Sequence, residues 1–167
     1  PVMLEVPVDV AGEELSEPLG YTPVTALRTA GDPDTIREAV RLLTAAQRPM
    51  IWAGQGVLYA QAASELIELS ELLGAPVMTT LLGKSAVDER HPLALGVGSY
   101  ASTAMVRSYL QQSDAIFAIG ASLTKTIFAP DIPAGKRIVH ATVDPVDLNK
   151  DYSADVAILG DARLVLR

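Results

Sequence analysis

The sequence contains no cysteine and only two histidines. The absence of thiols excludes a disulfide framework, a thiolate metal site and a cysteine nucleophile. The two histidines have no acidic cluster at ligand spacing beside them, so they do not predict a metal site, and His140 within an apolar run is typical of a core residue. Apolar runs stay well short of the roughly 18 residues that a membrane span needs. The sequence therefore predicts a protein without disulfide, metal or membrane partner.

Basic residues are also scarce. The 13 lysines and arginines stand against 20 aspartates and glutamates, for a formal net charge of −7. An acidic chain is a poor partner for nucleic acid or for an anionic membrane. Its 167 residues, 49% of them hydrophobic, are enough for one buried core and too apolar for intrinsic disorder. No charged-then-apolar secretion signal opens the chain, which predicts a cytoplasmic location.

The hydrophobic pattern divides the chain at residue 32. Residues 2–8 predict a strand, and 9–31, with scattered glycine, proline and acids, predict a linker. Asp32-Pro33 is a helix start, and this helix should end before Pro49. Beyond it the predicted helices are 60–73, 102–112 and one that starts after 161, the predicted strands are 50–53, 76–80, 115–119, 137–143 and 156–159, and 81–98 is predicted to be a loop.

This alternation of helices with short apolar strands predicts an α/β fold. Parallel strands joined by right-handed crossovers form an open, doubly wound sheet with helices on both faces, giving three layers. Ligands of such sheets bind beyond the carboxyl ends of the strands. The loops that follow the strands are therefore where functional residues are expected.

Glycine-rich turns after these strands allow two interpretations. Gly54-Gln55-Gly56 lies between a strand and a helix, as a dinucleotide-binding turn does, but the third glycine of that motif is replaced by Tyr59. The two glycines either let a phosphate approach the backbone or simply turn the chain. Residues 96–101 match the looser G-x-G-x-x-A form without a clear preceding strand. Gly83-Lys84-Ser85 is not a P-loop, since its first glycine would have to be residue 78.

Two aspartates close the last two strands. Asp144 and Asp161 would each bind ribose hydroxyls or, alternatively, cap a turn or helix. No G-x-S-x-G elbow is present, and no acid, base and nucleophile are grouped. The residues therefore predict a nucleotide-binding type of domain without a catalytic residue.

A set of short segments, in the same order along the chain, resembles the central domain of thiamine-diphosphate-dependent enzymes, closest to the acetolactate synthase branch. The segments are RPMIWAGQG at 48–56, LGAPV at 73–77, TTLLGKS at 79–85, HPL at 91–93, DA at 114–115, IGA at 119–121, HATVDP at 140–145 and GDA at 160–162. The opening PVMLEVPVDV at 1–10 resembles the closing strand of the preceding domain of that family. The resemblance thus implies that 1–31 are the tail of a preceding domain and a linker, and that 32–167 are the central domain.

The resemblance implies a sheet of about six strands, of the DHS-like NAD/FAD-binding type. It also implies a parent enzyme that decarboxylates or joins 2-oxo acids or cleaves acyl-CoA, and that forms a homo-oligomer. Thiamine diphosphate and Mg²⁺ would be bound by the remaining domains of that parent, so this fragment alone is expected to be inactive. In some branches the central domain holds FAD, ADP or the nucleotide end of CoA, and in others it holds nothing.

Carried over by resemblance, the nucleotide-binding candidates are Gly54, Gln55, Gly56, Thr80, Leu81, Gly120, Ala121, Ser122, Asp144 and Asp161. Ser122 is a departure, because the FAD-binding members generally have an arginine there. Without that guanidinium a bidentate phosphate partner is lost, and Lys125 would substitute for it only as a point charge. Two alternatives stay open: a free-standing module that binds FAD, ADP or NAD, and, less favoured, an independent enzyme that uses NAD.

Overall fold

The computed structural model describes residues 3–15, 18, 20–25 and 27–167. The helices, in chain order, are α1 Val8–Ala11, α2 Pro33–Ala45, α3 Gln55–Tyr59, α4 Ala63–Leu73, α5 Ala104–Gln112 and α6 Ala162–Leu166, with a 3₁₀ turn at Pro145–Asp147. The strands are β1 Pro49–Ala53, β2 Val77–Thr79, β3 Ala94–Val97, β4 Ala115–Ile119, β5 Arg137–Thr142 and β6 Val156–Leu159.

All six strands are parallel and lie in the order β3-β2-β1-β4-β5-β6. The chain builds outward from β1 in one direction and then from β4 in the other. The order therefore reverses between β1 and β4, which is where doubly wound sheets bind ligands. The predicted α/β class and parallel sheet of about six strands are confirmed.

The strands are apolar on both sides because helices or loops cover both faces. Alternate side chains of β1 enter opposite cores, with Ile51 in one and Trp52 in the other. The first core receives α2, α3, α4 and α6, and the second receives α5 and the irregular segment after β4. The predicted three layers are present, but one outer layer is mostly loop.

The helix ends follow the predicted signals. The Asp32 carboxylate accepts hydrogen bonds from the amides of Asp34 and Thr35, at 3.0 and 2.9 Å, and Pro33 opens α2. Helix α4 stops at Gly74, whose φ of 58° lies in the left-handed region that glycine adopts readily. Local sequence is therefore enough to place these two boundaries.

Three predictions need correction. Residues 3–7 of the predicted strand 2–8 have no regular structure and Val8 begins α1, while Val2 lies outside the described residues. The predicted loop 81–98 contains β3, a short edge strand in which Gly96 interrupts the apolar pattern. The predicted helix 60–73 corresponds to α4, which begins at Ala63, and a separate short helix that was not predicted, α3, begins directly at Gln55.

Among the described residues, no helix combines the length and the apolar character required to cross a bilayer.

Candidate functional site

A cleft of about 1120 Å³ opens at the carboxyl ends of the strands, at the point where strand order reverses. Its wall is formed by the loops that follow all six strands, together with the linker residues Leu27 and Arg28. These loops are distant in sequence and meet because parallel strands end at the same edge. The cleft is therefore the place that the fold itself offers to a ligand.

The structure brings the predicted site residues together, with one exception. Those lining the cleft are Gln55, Gly56, Thr80, Leu81, Gly120, Ala121, Ser122, Asp144 and Asp161. Gly54 does not line it and instead lies beneath the wall. The sequence thus predicted where these loops converge, whereas their contact with a nucleotide stays a prediction.

The glycines of the first turn are required by the packing of one loop on another. A Cβ atom on Gly54 would lie 2.1 Å from the carbonyl oxygen of Gly120, and one on Gly56 would lie 2.7 Å from the Gly120 Cα. The amide of Gly54 donates to the carbonyl of Ile119, and that of Gly56 to the carbonyl of Gly120, both at 2.9 Å. The need for a tight turn thus accounts for both Gly54 and Gly56. Their two amides already donate to backbone carbonyls of the protein.

Both strand-end aspartates act as caps. The Asp144 carboxylate accepts from the Val146 amide at 2.9 Å and starts the 3₁₀ turn. Asp161 accepts from the amides of Arg163 and Leu164, at 3.1 and 3.2 Å, and starts α6. The capping interpretation is confirmed for both, and because both also line the cleft, the ribose interpretation stays a prediction.

Asp161 has a further partner from the linker. The Arg28 guanidinium donates to it at 2.5 Å, and this hydrogen bond is the main cause that holds the pKa of Asp161 below its ordinary value. The Asp161 amide in turn donates to the carbonyl of Thr29 at 2.8 Å. The linker, predicted only from its composition, is therefore fastened to the last strand and helix and forms one side of the cleft.

The second arginine of the cleft is also engaged with a carboxylate. Arg163 Nε donates to Glu65 at 2.8 Å and, with a smaller share from Ser64, lowers the pKa of Glu65 to about 2. Arg167 Nε donates to the same carboxylate oxygen at 3.1 Å. Among the residues that the structure describes, both guanidinium groups lining the cleft thus have acidic partners.

The Asp161 contact gives a pH dependence that can be measured. A carboxyl group whose pKa is lower in the folded state stabilises the fold above its unfolded pKa, and this stability is lost as pH falls through the folded value. Asp161→Asn keeps a capping oxygen but loses the charge, so we expect it to cost about 1 kcal/mol at pH 7. Its free energy of unfolding should also decline less steeply than that of the original chain below pH 4.

Urea unfolding between pH 7 and pH 3 tests this prediction. Asp144→Asn is the matched control, since Asp144 also caps a short helical turn and no arginine bonds to it among the described residues. We expect this control to change stability by less than about 0.5 kcal/mol at either pH. Equal pH profiles for Asp161→Asn and the original chain would contradict the assigned role of Arg28.

The loop after β4 departs from the prediction for Lys125. Its ammonium lies 4.9 Å from the centre of the Tyr152 ring, and its amide donates to Asp151 at 2.8 Å. Lys125 lines a separate groove and not the main cleft. The structure therefore does not place it as a substitute for the arginine that Ser122 replaces.

Both histidines have structural roles. His140 is 1% exposed and its Nε2 donates to the carbonyl of Ala121 at 2.7 Å, while burial lowers its pKa. His91 Nε2 lies 3.1 Å from the Glu71 carboxylate, away from the cleft. The prediction of a core histidine at 140 is correct, and the residue also fixes the loop at Ala121 that lines the cleft.

Sequence reasoning missed several residues of the cleft wall. Leu27 and Arg28 belong to a segment whose pattern gave only a linker, and Trp52 was treated as part of a buried strand. Gly98 belongs to the G-x-G-x-x-A segment that was set aside because β3 had not been identified. That segment was the signal that pointed to the loop after β3.

The sequence matches the family described as "Thiamine pyrophosphate enzyme, central domain" over residues 36–167. It is 37% identical over 179 residues to the probable acetolactate synthase large subunit of Methanococcus aeolicus, and 35% identical over 183 residues to that of Methanocaldococcus jannaschii. Both alignments cover 100% of this chain but only 29% and 30% of the relatives. The chain spans less than a third of the length of these curated relatives.

Solved structures also match this chain over less than a third of their own length. An enzyme from Mycobacterium smegmatis described as thiamin diphosphate-dependent aligns with a TM-score of 0.72 and 27% identity, covering 89% of this chain and 29% of that one. Benzoylformate decarboxylase from Polynucleobacter necessarius aligns with a TM-score of 0.70 and 27% identity, covering 92% of this chain and 29% of that one. The fold described above is thus one part of larger proteins.

Proposed function

Because the chain belongs to the family of thiamine pyrophosphate enzyme central domains, we propose that it serves as the non-catalytic middle domain of a larger acetolactate synthase-like or related enzyme. The family match over 36–167 carries this proposal. The parent would be a lyase or transferase acting on a 2-oxo acid or an acyl-CoA. The free-standing nucleotide-binding module is not favoured, since the similar proteins are more than three times as long as their matched part.

The division of the chain at residue 32 is part of the proposal. Residues 1–31 would be the tail of a preceding domain and a linker, and 32–167 the central domain. Two observations support it: the family match begins at residue 36, and Met3, Leu4 and Val8 are each about nine-tenths exposed, as side chains meant for another surface would be. The cytoplasmic location stays a prediction.

Catalysis would depend on the other domains. Thiamine diphosphate, held there with Mg²⁺, supplies the electron sink for decarboxylation of a 2-oxo acid. In this chain the cleft aspartate Asp161 is engaged with Arg28, and Asp144 caps a turn, so neither is arranged as a general base. The residues described here would bind, position and connect, in a parent that we propose to be a homo-oligomer.

An activity comparison tests this division of labour. The 167-residue chain and the product of its full native reading frame would each be incubated with pyruvate or benzoylformate, thiamine diphosphate and Mg²⁺. We expect carbon dioxide release from the longer protein alone. Release by the 167-residue chain would refute the non-catalytic role, and a native reading frame without thiamine-binding domains on either side would refute the parent architecture.

The cleft is our proposed site for the nucleoside end of FAD, ADP or CoA. Asp144 offers carboxylate oxygens to ribose hydroxyls, and Gln55 and Thr80 offer an amide and a hydroxyl. The diphosphate fits less well, because Arg28 and Arg163 are engaged with carboxylates and Ser122 carries no charge. The bound nucleotide would thus be held mainly through its uncharged nucleoside end and not through its diphosphate.

Calorimetric titration of the chain with FAD, ADP and CoA tests the cleft proposal. A saturable response to at least one of them is expected, and Asp144→Asn should weaken it. Glu71→Gln, a substitution at an exposed carboxylate outside the cleft, is the matched control and should leave the response unchanged. No response to any of the three would leave the domain with a structural role only.

A further inference from the structure

Two apolar side chains stand at the tip of the loop that follows β4. Ile127 is 79% exposed and Phe128 is 57% exposed. They are the central residues of a tight turn in which the Ala129 amide donates to the carbonyl of Thr126 at 3.3 Å. Together with Tyr100, which is 73% exposed, they line the separate groove beside the cleft. Exposed apolar side chains that are grouped in this way indicate contact with another surface.

Hydrogen bonds at both ends hold this turn in place. At its start the Lys125 amide donates to the Asp151 carboxylate at 2.8 Å. At its end the Ile132 amide donates to the Tyr152 hydroxyl oxygen at 3.2 Å, and that hydroxyl donates to Asp131 at 3.2 Å. The segment between β5 and β6 thus fixes the loop, so its apolar tip is presented in a defined position. A preorganised surface loses little conformational entropy when a partner covers it.

The same edge of the sheet exposes further apolar side chains. In the loops after β2 and β5, Leu81, Leu82, Val143 and Val146 are each at least half-exposed. Among the described residues, the segments that lead into the six strands expose no large apolar side chain. Those segments are 46–48, 74–76, 91–93, 113–114, 134–136 and 153–155. The carboxyl edge of the sheet is therefore the edge at which another surface is expected.

The course of the chain indicates which surface this is. The linker residues Leu27 and Arg28 line the same cleft as Thr126 and Phe128, so the linker passes along the edge that carries the groove. After β6 the chain continues into α6, which packs on the first face of the sheet, whereas the loop after β4 packs on the second. A domain attached through the linker would therefore start near the groove.

The size of the groove favours a partner on the same polypeptide. Its three exposed apolar side chains offer on the order of 400 Å². A stable complex of separate chains needs about 800 Å² on each partner. A covalently joined domain is present at an effective concentration of about 1 mM, so a smaller contact is sufficient. The net charge of −7 also opposes association with a second copy of this chain.

We infer that the groove lined by Tyr100, Ile127 and Phe128 is the docking surface for the preceding domain of the parent polypeptide, which contacts it through apolar side chains of its own. The inference rests on the proposed function and names the face by which the middle domain is held against its neighbour. Tyr100 and Ile127 do not line the cleft, so this surface can be probed apart from the proposed nucleotide site.

The absence of cysteine from the chain allows the groove to be probed with a single introduced thiol. Ile127→Cys would be made in the 167-residue chain and in the product of its full native reading frame. Labelling by iodoacetamide at position 127, followed by peptide mass spectrometry, should be at least about tenfold slower in the longer protein, because a covered thiol is not accessible.

Leu72→Cys is the matched control. Leu72 is 77% exposed, lies on α4 and lines neither the groove nor the cleft. Labelling at position 72 should differ by less than about twofold between the two proteins. Equal slowing at positions 72 and 127 would refute the assignment of the contact to the groove.

Photocrosslinking identifies what covers position 127. The Ile127→Cys variant of the longer protein, carrying a benzophenone maleimide, should crosslink to a peptide from the domain before the linker and keep the mass of one polypeptide. A crosslink of twice that mass, or one to a later domain, would overturn the assigned partner.

The outcomes separate this inference from the proposal on which it depends. If thiamine-binding domains flank the chain in the native reading frame but labelling at position 127 is equally fast in both proteins, the proposed function holds and the docking surface is refuted. If the reading frame contains no such domains, the proposed function and this inference fail together.

Discussion

Gly54→Ala should destabilise the chain by about 3 kcal/mol or more, a large part of the stability of a domain of this size. The backbone angles of Gly54, φ −102° and ψ −175°, suit any residue, so conformational strain is not the reason. The reason is space: the new methyl group would lie 2.1 Å from the carbonyl oxygen of Gly120 and 2.5 Å from the Cα of Ala121. Both are backbone atoms, and they move only if the loop between β4 and β5 separates from the turn after β1.

Urea unfolding at pH 7 measures this effect, with two other glycine-to-alanine variants as controls. Gly20 has no heavy atom within 4 Å of an added Cβ, so Gly20→Ala should stay within about 0.5 kcal/mol of the original chain. Gly74 has open space but a φ of 58°, so Gly74→Ala isolates backbone strain, at about 1 kcal/mol. A loss for Gly54→Ala no greater than that for Gly74→Ala would show that the two loops separate easily.

Leu66→Ala should lower the free energy of unfolding by about 3 kcal/mol. Leu66 lies on α4, is 0% exposed and belongs to the core cluster between the sheet and the helices that cover its first face. Removing its branched end leaves a cavity and loses the contacts that hold α4 on the sheet. The measurement is again urea unfolding, at constant pH and salt.

Leu72→Ala provides the control within the same helix. Leu72 is 77% exposed, so the same chemical change there should alter stability by less than about 0.5 kcal/mol. The difference between the two variants isolates burial, because helix propensity changes equally in both. Similar losses for Leu66→Ala and Leu72→Ala would mean that α4 does not pack as described.

The parts of the fold that were predictable have local causes. The start of α2 is encoded by Asp32 and Pro33, the end of α4 by Gly74, and the central strands by short apolar runs. The strand β3 was missed because it has only four residues at the edge of the sheet and contains Gly96, with a φ of 91°. The start of α3 was missed because it depends on the contact of Gly54 with Gly120, which no local pattern reveals.

The candidate site was also predictable only where its causes are local or follow from the fold class. Convergence of the loops was predictable because parallel strands end together. The contribution of Arg28 to the cleft was not predictable, because its partner Asp161 is 133 residues away. The linker sequence has no periodic pattern that would place Arg28 against a particular part of the sheet. The place of Trp52 in the cleft wall was also beyond sequence reasoning, because an apolar strand predicts only that the side chain is buried.

The fastening of the linker to Asp161 has a mechanical consequence for any longer polypeptide that contains this domain. The chain approaches the sheet at Thr29 and leaves it after Leu159, and the Asp161 amide donates to the Thr29 carbonyl at 2.8 Å, which holds the entry and exit of the chain together. Tension applied between the flanking parts would therefore act on this bond, on the Arg28 contact and on the bonds of Arg163 and Arg167 to Glu65. The six strands would lie outside the direct path of the force until these contacts had broken.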